Sequence, residues 1–241
     1  LSKIDTALTS RCTLNCRHCA MFVTSCKKQE DYPLDELKRN FDLLFDVVDY
    51  VLEYTLFGGE PMIHKDLISI LMYLHEKYGN RIGRIVLISN GKAIVKEDLL
   101  NTIKKCNVIL SISDYTDVHD YGSILNKLLD ELNRYKIPYY FNKEMEWKDH
   151  GYPDNPRNFK PDEMRNHLKA CGHTTHSFNK GRLYWCDANY GAEINTGYKT
   201  QLDDIVDFEV LKEKCPVIDA KQRVFAYCMG YINENGYPSF C

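Results

Sequence analysis

The chain has 241 residues, of which 44% are hydrophobic and 27% are charged. A chain of this length and composition can bury a hydrophobic core, which excludes a disordered, collagen-like or coiled-coil protein. The formal net charge of -3 gives no overall basic field, so the sequence favours a small or neutral ligand over a nucleic acid or an anionic membrane.

Strand-like and helix-like segments alternate along the first part of the chain. The predicted strands are residues 4–9, 54–57, 85–88, 108–113 and 138–142, and the predicted helices are residues 33–52, 67–78, 96–106 and 121–135. The apolar runs have the length of strands, so no membrane-spanning segment is expected. Alternation of this kind predicts an α/β fold with a parallel sheet, closed partly or fully into a barrel. The loops that follow the strands of such a sheet converge on one ligand-binding edge.

The composition changes after Asn142. Residues 147–161 contain several prolines and no apolar period, which predicts a linker or a loop that covers a substrate. Beyond this segment, a hairpin is predicted at residues 177–187 and a short helix at residues 208–214. The first residues lack the pattern of a secretory signal, so a cytoplasmic location is expected.

Cysteine is the strongest deviation from an average composition. The ten cysteines are Cys12, Cys16, Cys19, Cys26, Cys106, Cys171, Cys186, Cys215, Cys228 and Cys241. In a chain of this size without an export signal, their clustering favours metal binding over a disulfide framework. Cys12-x3-Cys16-x2-Cys19 could ligate three irons of a cubane cluster and leave the fourth iron open. The residues alone also allow a zinc site completed by His18 or Cys26, or three buried structural thiols.

Two motifs carry a resemblance to a known family. The run Cys12-Thr13-Leu14-Asn15-Cys16-Arg17-His18-Cys19, followed by Gly58-Gly59-Glu60-Pro61 at the next predicted strand end, resembles the radical S-adenosylmethionine (radical SAM) family. The resemblance implies a partial (β/α)6 TIM-like barrel at residues 1–145. It further implies a linker or substrate loop at residues 146–165 and a small cysteine-rich domain at residues 166–241.

The resemblance also implies the cofactors of the barrel. Cys12, Cys16 and Cys19 would hold a 4Fe-4S cluster whose open iron chelates the amino and carboxylate groups of S-adenosylmethionine. An external one-electron reductant, such as flavodoxin or ferredoxin, would reduce the cluster. Cleavage of the cofactor would then yield a 5′-deoxyadenosyl radical that abstracts hydrogen from a substrate.

Six further residues are expected at the S-adenosylmethionine itself. They are His18, Gly58, Gly59, Glu60, Asn90 and Ser111. The glycines and Glu60 would meet the amino group, and His18 would pack near the adenine. Asn90 and Ser111 belong to segments that resemble weaker cofactor-contacting motifs, although the segment after Ser111 lacks the glycine that is usual in the family.

The later cysteines resemble the ligands of a second 4Fe-4S cluster in the C-terminal extension called a twitch domain. The expected ligands are Cys171, Cys186, Cys228 and Cys241. Cys215 competes for one ligand position, and cysteines without any metal are the open alternative.

The resemblance implies a radical enzyme acting on a small polar, carbohydrate-like substrate. The reaction would oxidise or epimerise a carbinol carbon. Oxidation needs a base, for which Asp114, His150 or Lys143 could serve, whereas epimerisation needs a hydrogen donor such as the thiol of Cys228. The alternatives are a peptide-modifying radical SAM enzyme, a glycyl-radical activase, and a non-catalytic iron-sulfur or zinc-binding module.

Overall fold

The computed structural model describes residues 1–142, 158–171 and 175–240. Two of the predicted site residues, His150 and Cys241, lie outside the described residues, as does the alternative base Lys143. Within the described ranges, no helix is both long and apolar enough to cross a lipid bilayer.

The strands of the described chain form one eight-stranded sheet. They are β1 (Lys3–Thr9), β2 (Val51–Gly58), β3 (Ile82–Ser89), β4 (Val108–Ser113), β5 (Tyr139–Asn142), β6 (His176–Asn179), β7 (Arg182–Tyr184) and β8 (Val206–Asp207). Their spatial order is β5-β4-β3-β2-β1-β6-β7-β8. Neighbouring strands are parallel from β5 through β4, β3, β2 and β1 to β6. The strand β7 is antiparallel to β6, and β8 is antiparallel to β7.

Helices follow most of the strands. The α-helices of the described residues are α1 (Leu34–Val47), α2 (Leu67–Tyr78), α3 (Glu97–Lys105), α4 (Gly122–Tyr135), α5 (Pro161–Cys171), α6 (Asp187–Thr196), α7 (Phe208–Lys214) and α8 (Val217–Cys228). Acidic residues in the first turns of α1 and α3 lie where the helix dipole favours a negative charge.

The main core lies between the sheet and the helices α1 to α4. Alternate strand residues, such as Ile4 of β1 and Leu110 of β4, pack there against helix residues such as Phe41. Each large apolar side chain buried in this way contributes about 1.5–3 kcal/mol. The intervening strand residues lie on the opposite face, where Asp5 is in register with Thr55 of β2 and Ser177 of β6.

The predicted α/β fold with a mostly parallel sheet is confirmed. The structure differs from a six-unit barrel in strand order, because the sixth parallel strand, β6, pairs with β1 rather than with β5. Side-chain contacts hold β6 there: the Thr6 hydroxyl donates to the Phe178 carbonyl at 2.8 Å, and the Ala7 amide donates to Asn179 Oδ1 at 2.9 Å. These contacts between distant residues leave no periodic signal in the sequence.

The later part of the chain contains the predicted hairpin, formed by β6 and β7, and the predicted helix α7. The sequence analysis missed α5, α6 and α8. In α6 the buried positions include Asn189, Gly191 and Asn195, so its apolar residues do not form one stripe that periodicity could detect. The hairpin continues the main sheet. The proposed domain boundary at residues 146–165 stays a prediction.

Candidate active site

Four loops meet at the carboxyl ends of the parallel strands, where ligands collect in such sheets. The loop after β1 carries the three early cysteines, and the loops after β2, β3 and β4 carry Gly59, Asn90 and Asp114. Hydrogen bonds between these loops show how the sequence motifs are brought together.

The three early cysteines lie in one loop as free, half-buried thiols. Burial, together with the neighbouring sulfurs of Cys19 and Cys12, raises the pKa of Cys16 to about 11. Burial also raises the pKa of Cys12. Thiolates here would therefore need a positive centre to stabilise them. Within the described ranges, no three His, Cys, Asp or Glu side chains are arranged to hold a metal ion, so metal binding would require the side chains to reorient.

The two glycines of the loop after β2 allow a very close approach to the cysteine loop. A Cβ on Gly58 would lie 2.4 Å from the Thr9 oxygen, and one on Gly59 would lie 2.0 Å from the Arg11 oxygen. Gly58 also has a φ of +138°, which other residues rarely adopt. The Gly59 amide donates to the Thr9 carbonyl at 2.8 Å, and the Glu60 amide donates to the Arg11 carbonyl at 2.7 Å. The loop after β2 is thus fixed to the chain just before Cys12.

Glu60 connects the loop after β2 to the loop after β3. Its side chain is fully buried, and its two carboxylate oxygens accept hydrogen bonds from the amides of Met62 at 3.0 Å and Asn90 at 2.8 Å. Burial raises the pKa of Glu60 to about 7, although the two backbone donors oppose this shift. The carboxyl group therefore positions the Asn90 backbone within the site.

Asn90 connects the loop after β3 to the cysteine loop. Its Nδ2 lies 3.0 Å from the Thr13 hydroxyl and 3.7 Å from the Cys12 sulfur, to both of which it donates. The Tyr121 hydroxyl donates to the Asn90 carbonyl at 2.9 Å and accepts a hydrogen bond from the Tyr115 amide at 2.9 Å. These contacts form a continuous path from Cys12 to the loop after β4.

The sequence analysis missed three residues of this site. Thr13 and Tyr121 hold Asn90, and His119 Nε2 lies 3.9 Å from the Cys16 sulfur. The position of Thr13 between two cysteines was the available signal. Tyr121 and His119 are brought in by the fold, because nothing in their own sequence surroundings marks them.

The other predicted residues occupy different surroundings. His18 is exposed on the cysteine loop, and Ser111 is buried within β4, 2% exposed. Asp114 Oδ1 accepts hydrogen bonds from the amide of Thr116 at 2.9 Å and from its hydroxyl at 2.7 Å, which makes the carboxylate a stabiliser of the local turn. Hydrogen bonds therefore connect Asn90 to Cys12, and Gly59 and Glu60 to the chain just before Cys12. No such connection is recorded for His18, Ser111 or Asp114.

Three of the later cysteines end or begin helices. Cys171 is the last residue of α5, Cys228 is the last residue of α8, and Cys186 directly precedes α6. The backbone amides of Asn189 and Ala188, at the N-terminus of α6, act to lower the pKa of Cys186. Burial nevertheless raises the pKa of Cys186 to about 12.

Ionisation of these three cysteines would be felt by nearby groups. A thiolate at Cys171 would raise the pKa of Cys186, and thiolates at Cys186 and Cys228 would raise the pKa of Tyr227. Burial raises the pKa of Cys228 to about 11. Cys215 differs, because its sulfur donates to the Leu211 carbonyl of its own helix at 3.1 Å.

Comparison with known proteins gives one family match, which covers slightly less than half of the chain. Residues 6–121 match the sequence model of the Radical SAM superfamily. The antilisterial bacteriocin subtilosin biosynthesis protein AlbA of Bacillus subtilis (strain 168) is 32% identical over 118 residues, which are 47% of this chain and 25% of that protein. The GTP 3',8-cyclase of Rhizobium leguminosarum bv. trifolii (strain WSM2304) is 30% identical over 112 residues, which are 45% of this chain and 32% of that protein. The matched region thus spans a third or less of either relative.

Solved structures resemble the fold over a longer part of the chain. BtrN in complex with AdoMet and 2-DOIA has a TM-score of 0.56 at 17% identity, over 81% of this chain and 77% of that one. Native anSMEcpe with bound AdoMet has a TM-score of 0.55 at 14% identity, over 77% of this chain and 74% of that one. At these identities the likeness concerns the fold alone. Residues 6–121, which match the Radical SAM superfamily model, hold the three early cysteines, the Gly-Gly-Glu-Pro loop and Asn90.

Proposed function

We propose that Cys12, Cys16 and Cys19 hold a 4Fe-4S cluster and that the neighbouring loops bind S-adenosylmethionine, so that the chain acts as a radical enzyme on a small polar substrate. The observation that supports this most is the connected site at the sheet edge. Glu60 and Asn90 join the loops after β2 and β3 to each other and to Cys12. A binding module without catalysis would not need this connection.

The residues present fit such a cluster. Three thiols on one loop supply the soft ligands that iron-sulfur clusters take, and none of the three is in a disulfide. When bound, the cluster and S-adenosylmethionine supply a 5′-deoxyadenosyl radical that abstracts hydrogen from the substrate, with the electron delivered by an external reductant such as flavodoxin or ferredoxin. The Asn90 amide, which donates towards the Cys12 sulfur, would tune the reduction potential, because hydrogen bonds to cluster sulfurs do so.

The chain's own residues would orient the nucleoside cofactor. The main chain at Gly58, Gly59 and Glu60 would meet its amino group, and the buried Glu60 carboxyl keeps this loop and Asn90 at a fixed separation. Ser111 and His18 are proposed contacts to the ribose and the adenine. Their present positions, one buried in a strand and one exposed, require a local rearrangement for contact.

The polar side chains on the sheet face opposite the helices α1 to α4 suit a polar substrate. This face carries Lys3, Asp5, Glu53, Thr55, Arg84 and Ser177. The ion pairs of Glu53 with Lys3 and Arg84 keep charged groups there. We propose oxidation or epimerisation at a carbinol carbon, with Asp114 or His150 as the base and Cys228 as the hydrogen donor if it does not bind metal.

A second 4Fe-4S cluster is proposed at the later cysteines, with Cys171, Cys186, Cys228 and Cys241 as ligands. The influence that a charge at Cys171 would have on Cys186, and the influence that charges at Cys186 and Cys228 would have on Tyr227, are the support for this set. Such a cluster could accept the electron that remains after hydrogen abstraction, which an oxidation requires.

A second candidate function is modification of a peptide. It is favoured by the match to a bacteriocin biosynthesis protein, which has the higher identity of the two relatives described above. A structure of anSMEcpe with bound AdoMet and Kp18Cys peptide, with a TM-score of 0.50 at 12% identity, shares the fold.

The proposed function is tested by anaerobic reconstitution with iron and sulfide. We expect about eight irons per chain for two clusters and formation of 5′-deoxyadenosine when dithionite and S-adenosylmethionine are added. Cys16→Ser is expected to abolish the formation of 5′-deoxyadenosine. Cys26→Ser is expected to retain it, because the Cys26 thiol instead donates a hydrogen bond to the Lys28 carbonyl. Bound zinc without iron, or no 5′-deoxyadenosine from the unmodified protein, would contradict the proposal.

The substrate is identified by supplying polyols and peptides in deuterated water. Solvent deuterium at the reacting carbon of a polyol indicates epimerisation, and a ketone product indicates oxidation. Hydrogen loss from a peptide alone would replace the first substrate proposal with the second.

A further inference from the structure

The helix α6 contacts the cysteine loop as well as Cys186. In its last turn, Asn195 Nδ2 donates to the Met21 carbonyl at 2.7 Å, and both residues are buried. Met21 is the second residue after Cys19. The helix therefore fixes the main chain at the end of the loop that carries the early cysteines.

Gly191, in the middle of α6, allows this close contact. A Cβ at this position would lie 2.7 Å from the Met21 Cα and 2.9 Å from its carbonyl carbon and oxygen. Glycine is unfavourable within a helix compared with alanine. Its presence here is explained by the backbone of Met21, which occupies the space that a side chain would need.

Phe22 completes the contact between the loop and the helix. Its backbone is left-handed, with φ 51° and ψ 32°, which is unusual for a bulky residue. Its amide donates to the Cys19 carbonyl at 2.9 Å, and its ring is buried against Ala188 and Ala192 of α6. The packing on α6 thus stabilises a strained turn that directly follows Cys19.

We propose that Asn195 and Gly191 are positioning residues that hold the Cys19 end of the cysteine loop, and that α6 thereby links Cys186 mechanically to the radical SAM site. The positioning follows from the contacts of α6 with Met21 and Phe22. Its importance for S-adenosylmethionine binding rests on the proposed function.

The test uses the reduced, metal-free full chain and needs no cofactor. The thiols are alkylated with iodoacetamide, and the rate of alkylation at each cysteine is measured by peptide mass spectrometry. Asn195→Asp keeps the side-chain shape but removes the donor to the Met21 carbonyl. We expect this variant to raise the alkylation rate of Cys19 about tenfold, because a lost buried hydrogen bond permits local opening. The rate of Cys106, a buried thiol in the main core, is expected to stay unchanged.

A matched control lies on the same helix. Asn189 is buried, and its Nδ2 donates to the Thr200 hydroxyl at 3.0 Å rather than to the cysteine loop. Asn189→Asp should leave the alkylation rate of Cys19 as it is in the unmodified chain, because the Thr200 hydroxyl can donate a hydrogen bond to the new carboxylate. Gly191→Ala should raise the alkylation rate of Cys19 as Asn195→Asp does. If Gly191→Ala fails to fold, the positioning role is judged from Asn195→Asp alone.

An unchanged Cys19 rate in Asn195→Asp, or equal increases at Cys19 and Cys106, would overturn the positioning role. In the reconstituted enzyme, Asn195→Asp is expected to raise the KM for S-adenosylmethionine more than it lowers kcat. A fall in kcat with an unchanged KM would overturn the link to the cofactor while leaving the alkylation result intact. The two readouts therefore separate a failure of this inference from a failure of the proposed function.

Discussion

The two cysteine groups of this chain are built in different ways. Cys12, Cys16 and Cys19 lie within one loop after β1, whereas Cys171, Cys186 and Cys228 come from the ends of three separate helices. The first group is defined by local spacing, whereas the proposed second group requires the fold to bring the ends of α5, α6 and α8 together. A local motif can therefore be recognised from the sequence with its neighbours, while a dispersed set needs the fold to identify its members.

The largest expected effect separates the two groups by the cleavage of S-adenosylmethionine. Cys19→Ala should lose about four irons per chain and all 5′-deoxyadenosine formation, because the first cluster loses a ligand. Cys186→Ala should also lose about four irons but keep the cleavage of S-adenosylmethionine. Iron analysis and chromatography of the products measure both effects. Equal loss of cleavage in the two variants would show that the groups do not act as separate sites.

Gly59→Ala is expected to be the most destabilising single change in the first site. The new Cβ would lie 2.0 Å from the Arg11 oxygen, so the loop after β2 must move away from the cysteine loop. Overpacking of this kind against backbone costs about 3 kcal/mol or less, which denaturant unfolding of the metal-free chain would measure. Gly122→Ala is the control, because a Cβ there meets nothing within 4 Å. Equal stability of the two variants would contradict the close approach.

Glu60→Gln tests the buried carboxyl through pH. The folded-state pKa of about 7 lies above the ordinary value of 4.5, so the carboxyl contributes stability that is fully present below pH 4.5 and is lost as the pH rises through 7. The unfolding free energy of the unmodified chain, relative to Glu60→Gln, should fall by up to about 3 kcal/mol across this window. A difference that is constant with pH would show that the carboxyl titrates normally.

The smallest effect is expected far from both cysteine groups. Asp42 of α1 accepts hydrogen bonds from the hydroxyls of Tyr73 and Tyr78, each at 2.6 Å, and from Lys77 at 2.9 Å. Burial tends to raise the pKa of Asp42, but these donors outweigh it and lower the pKa. The stabilisation is present above the unfolded pKa of an aspartate and is lost as the pH falls through the folded value.

Asp42→Asn should therefore cost about 1 kcal/mol or less at pH 7, measured by thermal unfolding, with less cost at low pH. Its iron content should equal that of the unmodified chain. A loss of iron in this variant would mean that the helix layer, and not the loops alone, supports the clusters.

The sequence was sufficient for the regular elements of the first 142 residues and for the motifs of the proposed first site. The strands β1 to β5 and the helices α1 to α4 follow from apolar periods and glycine-rich ends, and the early cysteines and Gly58-Gly59-Glu60 follow from spacing. The placement of β6 beside β1 depends on contacts between distant residues, such as Thr6 with Phe178, which no local pattern records. Tyr121 could not be assigned to the site for the same reason, since only the fold brings its hydroxyl to Asn90.

The interior of α6 shows another limit of prediction from the sequence. Its glycine and asparagine positions suggest a poor helix by propensity, yet they are the residues that permit contact with Met21. Tertiary packing overrides propensity here, and the sequence alone gives no sign of the partner.

The central claim is that the early cysteines hold a cluster with an iron that S-adenosylmethionine can bind. Electron paramagnetic resonance of the reduced Cys186→Ala protein, in which only the first cluster remains, tests this most directly. The account predicts a signal whose g values shift when S-adenosylmethionine is added. A signal that the cofactor leaves unchanged, or the absence of any cluster signal, would contradict the claim.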